Sequence, residues 1–298
     1  MSVLLLSSQD EQPEAQRLAD ETGLPLAVYQ QHRFPDQELK LTLPFSDSLP
    51  QQLVLYRSLN TPNDKLVELL LIARHARAKG VQKFLLVAPY LAYMRQDIAF
   101  NAGEIVSQTI IGQFLAELFD AVITVDPHLH RIDKLSQAIP KGEAIALSGA
   151  PRLADLIAQQ CREPLLMGPD AESEQWLALA AAQIGCDYGV CTKVRHGDKN
   201  VVIQLPAISV AGRNVVLMDD VASSGHTLAE ACKLLLAAGA ASVDVAVTHA
   251  LFAGNALALI KTAGVNRVWS TDCIAHPSNA ISMAPALARA LLPLLPTQ

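Results

Sequence analysis

At 298 residues the chain is long enough to divide into two domains of ordinary size, and 51% hydrophobic against 17% charged residues reads as packed protein rather than disorder. A formal net charge of −6 gives no broad attraction to nucleic acid or to an anionic membrane, so both are set aside as partners. Five cysteines (Cys161, Cys186, Cys191, Cys232 and Cys273), odd in number and without a CxxC pair, argue against a disulfide framework or structural zinc and fit a reducing cytoplasm.

The opening MSVLLLSSQDEQ lacks the basic stretch and long apolar core of an export signal, so its VLLL run is expected to be a first strand. A helix follows in EAQRLADETG. FPDQELKLTLP, Phe34 to Pro44, alternates apolar and polar residues and reads as an antiparallel arm or edge hairpin with FPDQE at its tip. Strand-like LVLYRS, KFLLVAPY and AVITVD then alternate with helix-like DKLVELLLIARHARAKG and EIVSQTIIGQFLAELFD, which is βαβ grammar and implies a parallel sheet. A second series begins near Ala144: SGAPRLADLIAQQ, PLLMGPD, SEQWLALAAAQIG, VVLMDD, AEACKLLLAAGA, SVDVAVTHALF, NALALIKTAG and RVWSTD. Two doubly wound α/β domains are expected, 1–145 and 146–298, joined around Lys141 to Ser148, with a helix from the tail after Ile281 left open to pack back on the first. The apolar region Leu234 to Ile260 is interrupted by Asp244, His249 and Asn255, and APALARALLPLLP is short and carries Arg289, so neither is expected to span a bilayer.

The chemistry gathers where strands end. VVLMDDVASSGHTLAE runs from a buried strand through Asp219 and Asp220 into a small-residue turn that opens a helix, an arrangement suited to a phosphate on backbone N–H groups with two acids facing the rest of the ligand. Taken alone it also reads as a polar turn with Ser223 or Ser224 as an ordinary N-cap. Arg95 and Gln96 in APYLAYMRQD suit an anionic, hydrogen-bonding ligand, or a solvated loop. In VDPHLH, His128 is the preferred functional histidine, and Asp170 in MGPDAES stands at another strand end; a carboxylate with His128 and substrate phosphates would suit Mg²⁺. CTKVRHGDKN is basic and glycine-containing, and Lys193 and Arg195 alternate, so an extended backbone would send both to one side.

In this order the motifs DDVASSGHT, FPDQE, SLNTPNDKLVELL, PYLAYMRQD, DPHLH, GPDAES and TKVRHG resemble those of ribose-phosphate pyrophosphokinases, also called phosphoribosyl pyrophosphate synthetases, over nearly the whole chain. GEIVS after RQD resembles the archaeal-type branch. The resemblance implies two type I phosphoribosyltransferase-like domains in tandem, the first on the ATP side and the second on the ribose 5-phosphate side. It implies Mg²⁺-dependent transfer of the ATP β,γ-pyrophosphoryl group to the 1-hydroxyl of ribose 5-phosphate, in a cytoplasmic homo-oligomer, a dimer or higher. Carried over by position, Phe34, Asp36 and Glu38 would reach the adenine of ATP bound mainly by a neighbouring subunit, and Arg95, Gln96, Asp97 and His128 would hold ATP. His128 and Asp170 would organise Mg²⁺, and Asp219 and Asp220 would bind the ribose hydroxyls. Ser223, Ser224, Gly225, His226 and Thr227 would cradle the 5-phosphate, and Lys193 and Arg195, in a mobile catalytic loop, would close over the transferring group.

Five positions depart from the family pattern. Gln37 replaces the glycine of D-G-E, Ile98 stands where a basic residue commonly follows RQD, Glu172 and Ser173 replace a glycine pair, and His226 takes the second glycine of T-G-G-T. They keep open a non-catalytic regulatory homologue; a type I phosphoribosyltransferase, sharing only the DDVASSGHT turn, is the other alternative.

Overall fold

Continuous apolar runs become strands covered on both faces, as central parallel strands require. The computed structural model describes residues 3–45, 49–129, 131–196 and 200–296, with the side chains of 193–202 outside the description. It divides into two units, Met1–Leu147 with Ala284–Gln298, and Ser148–Met283.

The first unit contains β1 (Val3–Ser8), α1 (Gln12–Thr22), β2 (Leu26–Arg33), β3 (Leu39–Thr42), β4 (Gln52–Tyr56), α2 (Pro62–Ala78), β5 (Lys83–Val87), α3 (Ser107–Leu118), β6 (Ala121–Val125) and β7 (Glu143–Leu147). Its seven-stranded sheet has the order β3-β2-β1-β4-β5-β6-β7, parallel except for β3, which pairs antiparallel with β2 as the alternation of FPDQELKLTLP predicts. Leu5 pairs with Val54 and Val54 with Leu85 through the centre of the sheet. The core includes Leu6, Leu55, Leu69, Ile72, Phe84 and Leu115. Each fully buried side chain of this size contributes about 1.5–3 kcal/mol. One helix starts later than its periodicity suggests. Glu104 of EIVSQ accepts from the Phe100 N–H at 2.7 Å and from Asn101 at 2.5 Å, closing a loop, so α3 begins only at Ser107.

The second unit contains α4 (Ala150–Gln160), β8 (Leu165–Gly168), α5 (Glu174–Ile184), β9 (Tyr188–Val190), β10 (Thr192–His196), β11 (Asn200–Gln204), β12 (Asn214–Ala222), α6 (His226–Ala237), β13 (Ser242–Ala250), α7 (Ala256–Thr262), β14 (Val268–Thr271) and β15 (Asn279–Ile281). Its parallel sheet runs β15-β14-β13-β12-β8-β9, while β10 and β11 form a separate antiparallel pair. Alternation along β12 sends Val215 and Leu217 into the core with α6 and α7, and Val216 and Met218 into the core with α4 and α5.

The last helix, α8 (Ala284–Leu291), packs on α1, and Lys83 Nζ donates to the Leu294 carbonyl at 2.5 Å. The tail therefore groups with the first unit, the packing that the sequence leaves open for it, and the division falls at Leu147/Ser148, two residues beyond the expected 145/146 boundary. TKVRH, which the resemblance assigns to a mobile loop and whose alternation suits an extended backbone, is a strand paired antiparallel with β11. Among the described residues all five cysteines are free thiols, and no helix is long and apolar enough to cross a membrane.

Candidate functional site

In the second unit the strand order reverses between β8 and β12, which opens a crevice at their carboxyl ends. Asp170 follows β8, and Asp219 and Asp220 lie near the carboxyl end of β12. The charges of Asp170 and Asp220 both bear on Asp219. Lost hydration, with the Asp220 and Asp170 charges, pushes Asp219 well above the usual carboxylate range. The Asp220 N–H donates to Asp219 Oδ1 at 3.0 Å, and Asp170 Oδ1 accepts from the Glu172 N–H at 3.1 Å. Ser173, at one of the missing family glycines, is fully buried, and its hydroxyl donates to the Asp170 carbonyl at 2.5 Å. Burial, then the Asp170 charge, pushes the Cys191 thiol up to about 11, so this buried cysteine is an inert neighbour of the crevice.

The turn after β12 is held by backbone. Gly225 takes φ +75° as the N-cap of α6, and a Cβ there would meet the Ala256 carbonyl oxygen at 3.1 Å and Ile260 at 3.2 Å. From the loop after β13, the Phe252 N–H donates to the Ala222 carbonyl at 2.8 Å and the Ala253 N–H to the Ser223 carbonyl at 3.0 Å. Ser223 and Thr227 are half-buried, while Ser224 and His226 are exposed. The first turn of α6 thus presents N–H groups and the positive end of the helix dipole beside the acids, an arrangement suited to an anion. His226 is not among the left-handed non-glycine residues (Gln37, Thr61, Tyr93, Asp126, Glu163 and Phe252), so only Gly225 of the Gly225-His226 pair needs glycine's freedom. Gln37 does carry the strain of its missing glycine, at φ +77°.

In the first unit the nucleotide candidates lie at the ends of β5 and β6. Arg95 is exposed. Gln96 Oε1 accepts from the Ser107 hydroxyl at 2.8 Å, and its carbonyl from the Gln108 N–H at 3.2 Å. Asp97, expected to meet ATP, has a side chain only 2% exposed and paired with Arg131. His128 is half-buried after β6, two residues beyond Asp126, whose φ is +36°. Phe34, Asp36 and Glu38 are exposed at the β2–β3 tip, separated from β5 by β1 and β4. The tip closes through Phe34 N–H to the Glu38 carbonyl at 2.9 Å, and Phe34 meets His32 edge-on at 4.9 Å.

The corresponding reversal in the first unit, between β1 and β4, is filled with side chains. Arg57, 3% exposed, pairs with Asp10 and Glu68 at 2.9 Å and Glu11 at 3.1 Å, while Lys65 pairs with Glu11 at 2.8 Å. Tyr29 donates to Glu68. Burial, with the Asp10 and Glu11 charges, pushes Glu68 up to about 9.

The expected residues thus fall into two groups. Asp170, Asp219, Asp220 and Ser223–Thr227 converge within the second unit, and Arg95, Gln96, Asp97 and His128 occupy neighbouring strand ends of the first. The metal candidates His128 and Asp170 belong to different units, and among the described residues no group of three or more His, Cys, Asp and Glu side chains is arranged for a metal. Lys193 and Arg195 lie on the β10 backbone, with side chains outside the described residues. Sequence reasoning missed Arg131, Ser107 and Phe252; only the strand-end run THALFAGN carried a local signal, for Phe252.

Residues 3–118 match the family described as the N-terminal domain of ribose phosphate pyrophosphokinase, and 141–276 the phosphoribosyl transferase domain. The chain is similar to the ribose-phosphate pyrophosphokinase of Methanopyrus kandleri, with 31% identity covering 97% of this chain and 98% of that one. The Halobacterium salinarum ribose-phosphate pyrophosphokinase is 33% identical, covering 97% and 100%. Among solved structures, the phosphoribosylpyrophosphate synthetase of Mycobacterium smegmatis has a TM-score of 0.84 over 99% of both chains at 20% identity, a likeness of fold.

Proposed function

Because the chain belongs to the ribose-phosphate pyrophosphokinase family, we propose that it transfers the β,γ-pyrophosphoryl group of ATP to the 1-hydroxyl of ribose 5-phosphate. The observation that carries this reading is the β8/β12 crevice, where two adjacent acids precede a glycine-turned helix start. Asp219 and Asp220 accept from the ribose hydroxyls, and the N–H groups and hydroxyls of Ser223–Thr227 hold the 5-phosphate. Arg95 and Gln96 hold ATP, Arg95 as a planar partner for phosphate oxygens. The sugar O1 attacks the β-phosphorus, the bond from that phosphorus to the α,β-bridging oxygen breaks, AMP departs, and the hydroxyl proton passes to solvent. Lys193 and Arg195 neutralise charge that builds on the transferring group, in a step where positioning and electrostatics supply most of the rate.

A carboxylate and an imidazole together with substrate phosphate oxygens suit Mg²⁺, a hard ion that takes few protein ligands. Asp170 and His128 are the residues proposed to hold it. When bound, it would neutralise phosphate oxygens of ATP. The exposed Phe34–Glu38 tip is proposed to complete the adenine pocket of a neighbouring subunit, which makes the working form a homo-oligomer.

Incubation with ATP, Mg²⁺ and ribose 5-phosphate tests the reading. AMP in step with a new acid-labile sugar product supports it. ADP would indicate simple phosphorylation, and absence of turnover would favour the regulatory homologue.

A further inference from the structure

One ion pair ties together the two loops that carry the nucleotide candidates. Asp97 turns its carboxylate inward, with Oδ1 2.5 Å from Arg131 Nη1, 34 residues further on in the loop after β6. Asp97 Oδ2 is also buried and has no hydrogen-bond partner among the described residues. A buried carboxylate with one unsatisfied oxygen depends heavily on its single cation. The Arg131 guanidinium lies 5.7 Å from the centre of the Phe100 ring as well, and that ring is 72% exposed and so not held by a core. A single side chain from the His128 loop therefore grips both the base and the crown of the loop that begins Arg95-Gln96-Asp97. The far end of this loop is closed by Glu104 on Phe100 and Asn101, and Gln96 is fixed by Ser107. Arg131 is thus the side chain that ties this loop to the loop after β6, next to Arg95 and Gln96.

We propose that Asp97 and Arg131 form a positioning pair that fixes the nucleotide turn against the His128 loop, Asp97 acting through Arg131 and not by touching ATP. This rests on the reading of the chain as an ATP-dependent enzyme. The test combines calorimetric titration with ATP and Mg²⁺, titration with ribose 5-phosphate, and hydrogen exchange of amides 95–106, in wild type, Arg131→Met, Arg131→Lys, Asp97→Asn and the D97N/R131M double variant. Arg131→Met is expected to weaken ATP about tenfold, as loosening a contact that orients binding groups does. It speeds exchange across 95–106 and leaves ribose 5-phosphate affinity within about twofold, and Arg131→Lys recovers most of the ATP affinity. D97N/R131M is no weaker than the worse single variant, because the two residues act as a unit. Unchanged ATP affinity in Arg131→Met, equal losses for both substrates, or additive losses in the double variant would overturn the proposal. If wild type binds no ATP, the functional reading fails by itself and exchange decides: faster exchange in Arg131→Met supports the pair, and unchanged exchange refutes it.

Discussion

Replacing Gly225 by alanine adds one methyl group at the N-cap of the helix that opens the proposed phosphate seat. At φ +75° an L-residue costs about 1–2 kcal/mol relative to the right-handed region, while the lost freedom of the unfolded chain returns about 0.4–1 kcal/mol. The new Cβ would also sit 3.1 Å from the Ala256 carbonyl oxygen, 3.2 Å from Ile260 and 3.3 Å from the Ala256 Cβ, so the turn or α7 must shift by a few tenths of an ångström. The net cost is about 1–2 kcal/mol, read as a fall in Tm of roughly 3–6 °C. The same shift moves the N–H groups of the first turn of α6, so the KM for ribose 5-phosphate should rise about tenfold while that for ATP changes little. His226→Gly is the companion measurement. Because His226 lies in the helix outside the left-handed region, restoring the family glycine should raise neither activity nor stability. A Gly225→Ala variant with wild-type Tm and KM, or a His226→Gly variant with markedly higher activity, would refute this account of the turn.

Asp220→Asn, which keeps shape and removes charge, should cost about 1.5–3 kcal/mol, roughly ten- to a hundredfold in kcat/KM for ribose 5-phosphate; unaltered kinetics would exclude its sugar role. Lys193→Ala and Arg195→Ala should each lower kcat by roughly a hundredfold with little change in nucleotide affinity, and wild-type turnover in both would make the β10–β11 arm a plain surface element. Glu68 titrates near 4.5 when unfolded and is pushed up to about 9 when folded, first by burial and then by the neighbouring Asp10 and Glu11 charges. The folded chain holds the extra proton between those values, so this contribution to stability is full below 4.5 and is lost as the pH rises through about 9. Thermal melts from pH 6 to 9 should therefore fall more steeply for wild type than for Glu68→Gln, and parallel curves would contradict the raised value.

The central strands were legible because Leu4–Leu6, Phe84–Val87 and Val215–Met218 are continuous apolar runs, and the acids at the end of VVLMDD marked the crevice that the sheet order creates. β9 and β15 were not legible, since three residues are too few to display a period. The delayed start of α3 depends on where the Glu104 carboxylate goes, which periodicity does not encode. Arg131 gave no local sign because its partner is 34 residues away; for Phe252 the strand-end run THALFAGN was a sign of position only, since its backbone bond to Ala222 forms only when β12 and β13 are paired.

The most direct test of pyrophosphoryl transfer is ³¹P NMR of the product formed from ATP, Mg²⁺ and ribose 5-phosphate carrying ¹⁸O at the 1-hydroxyl. Attack by that oxygen on the β-phosphorus leaves the label in the bridge between C1 and the new pyrophosphate, seen as an isotope shift on the phosphorus bonded to it, with unlabelled AMP as the other product. Label in AMP, a single phosphoryl group on the sugar oxygen, or a product without the isotope shift would contradict the proposed reaction.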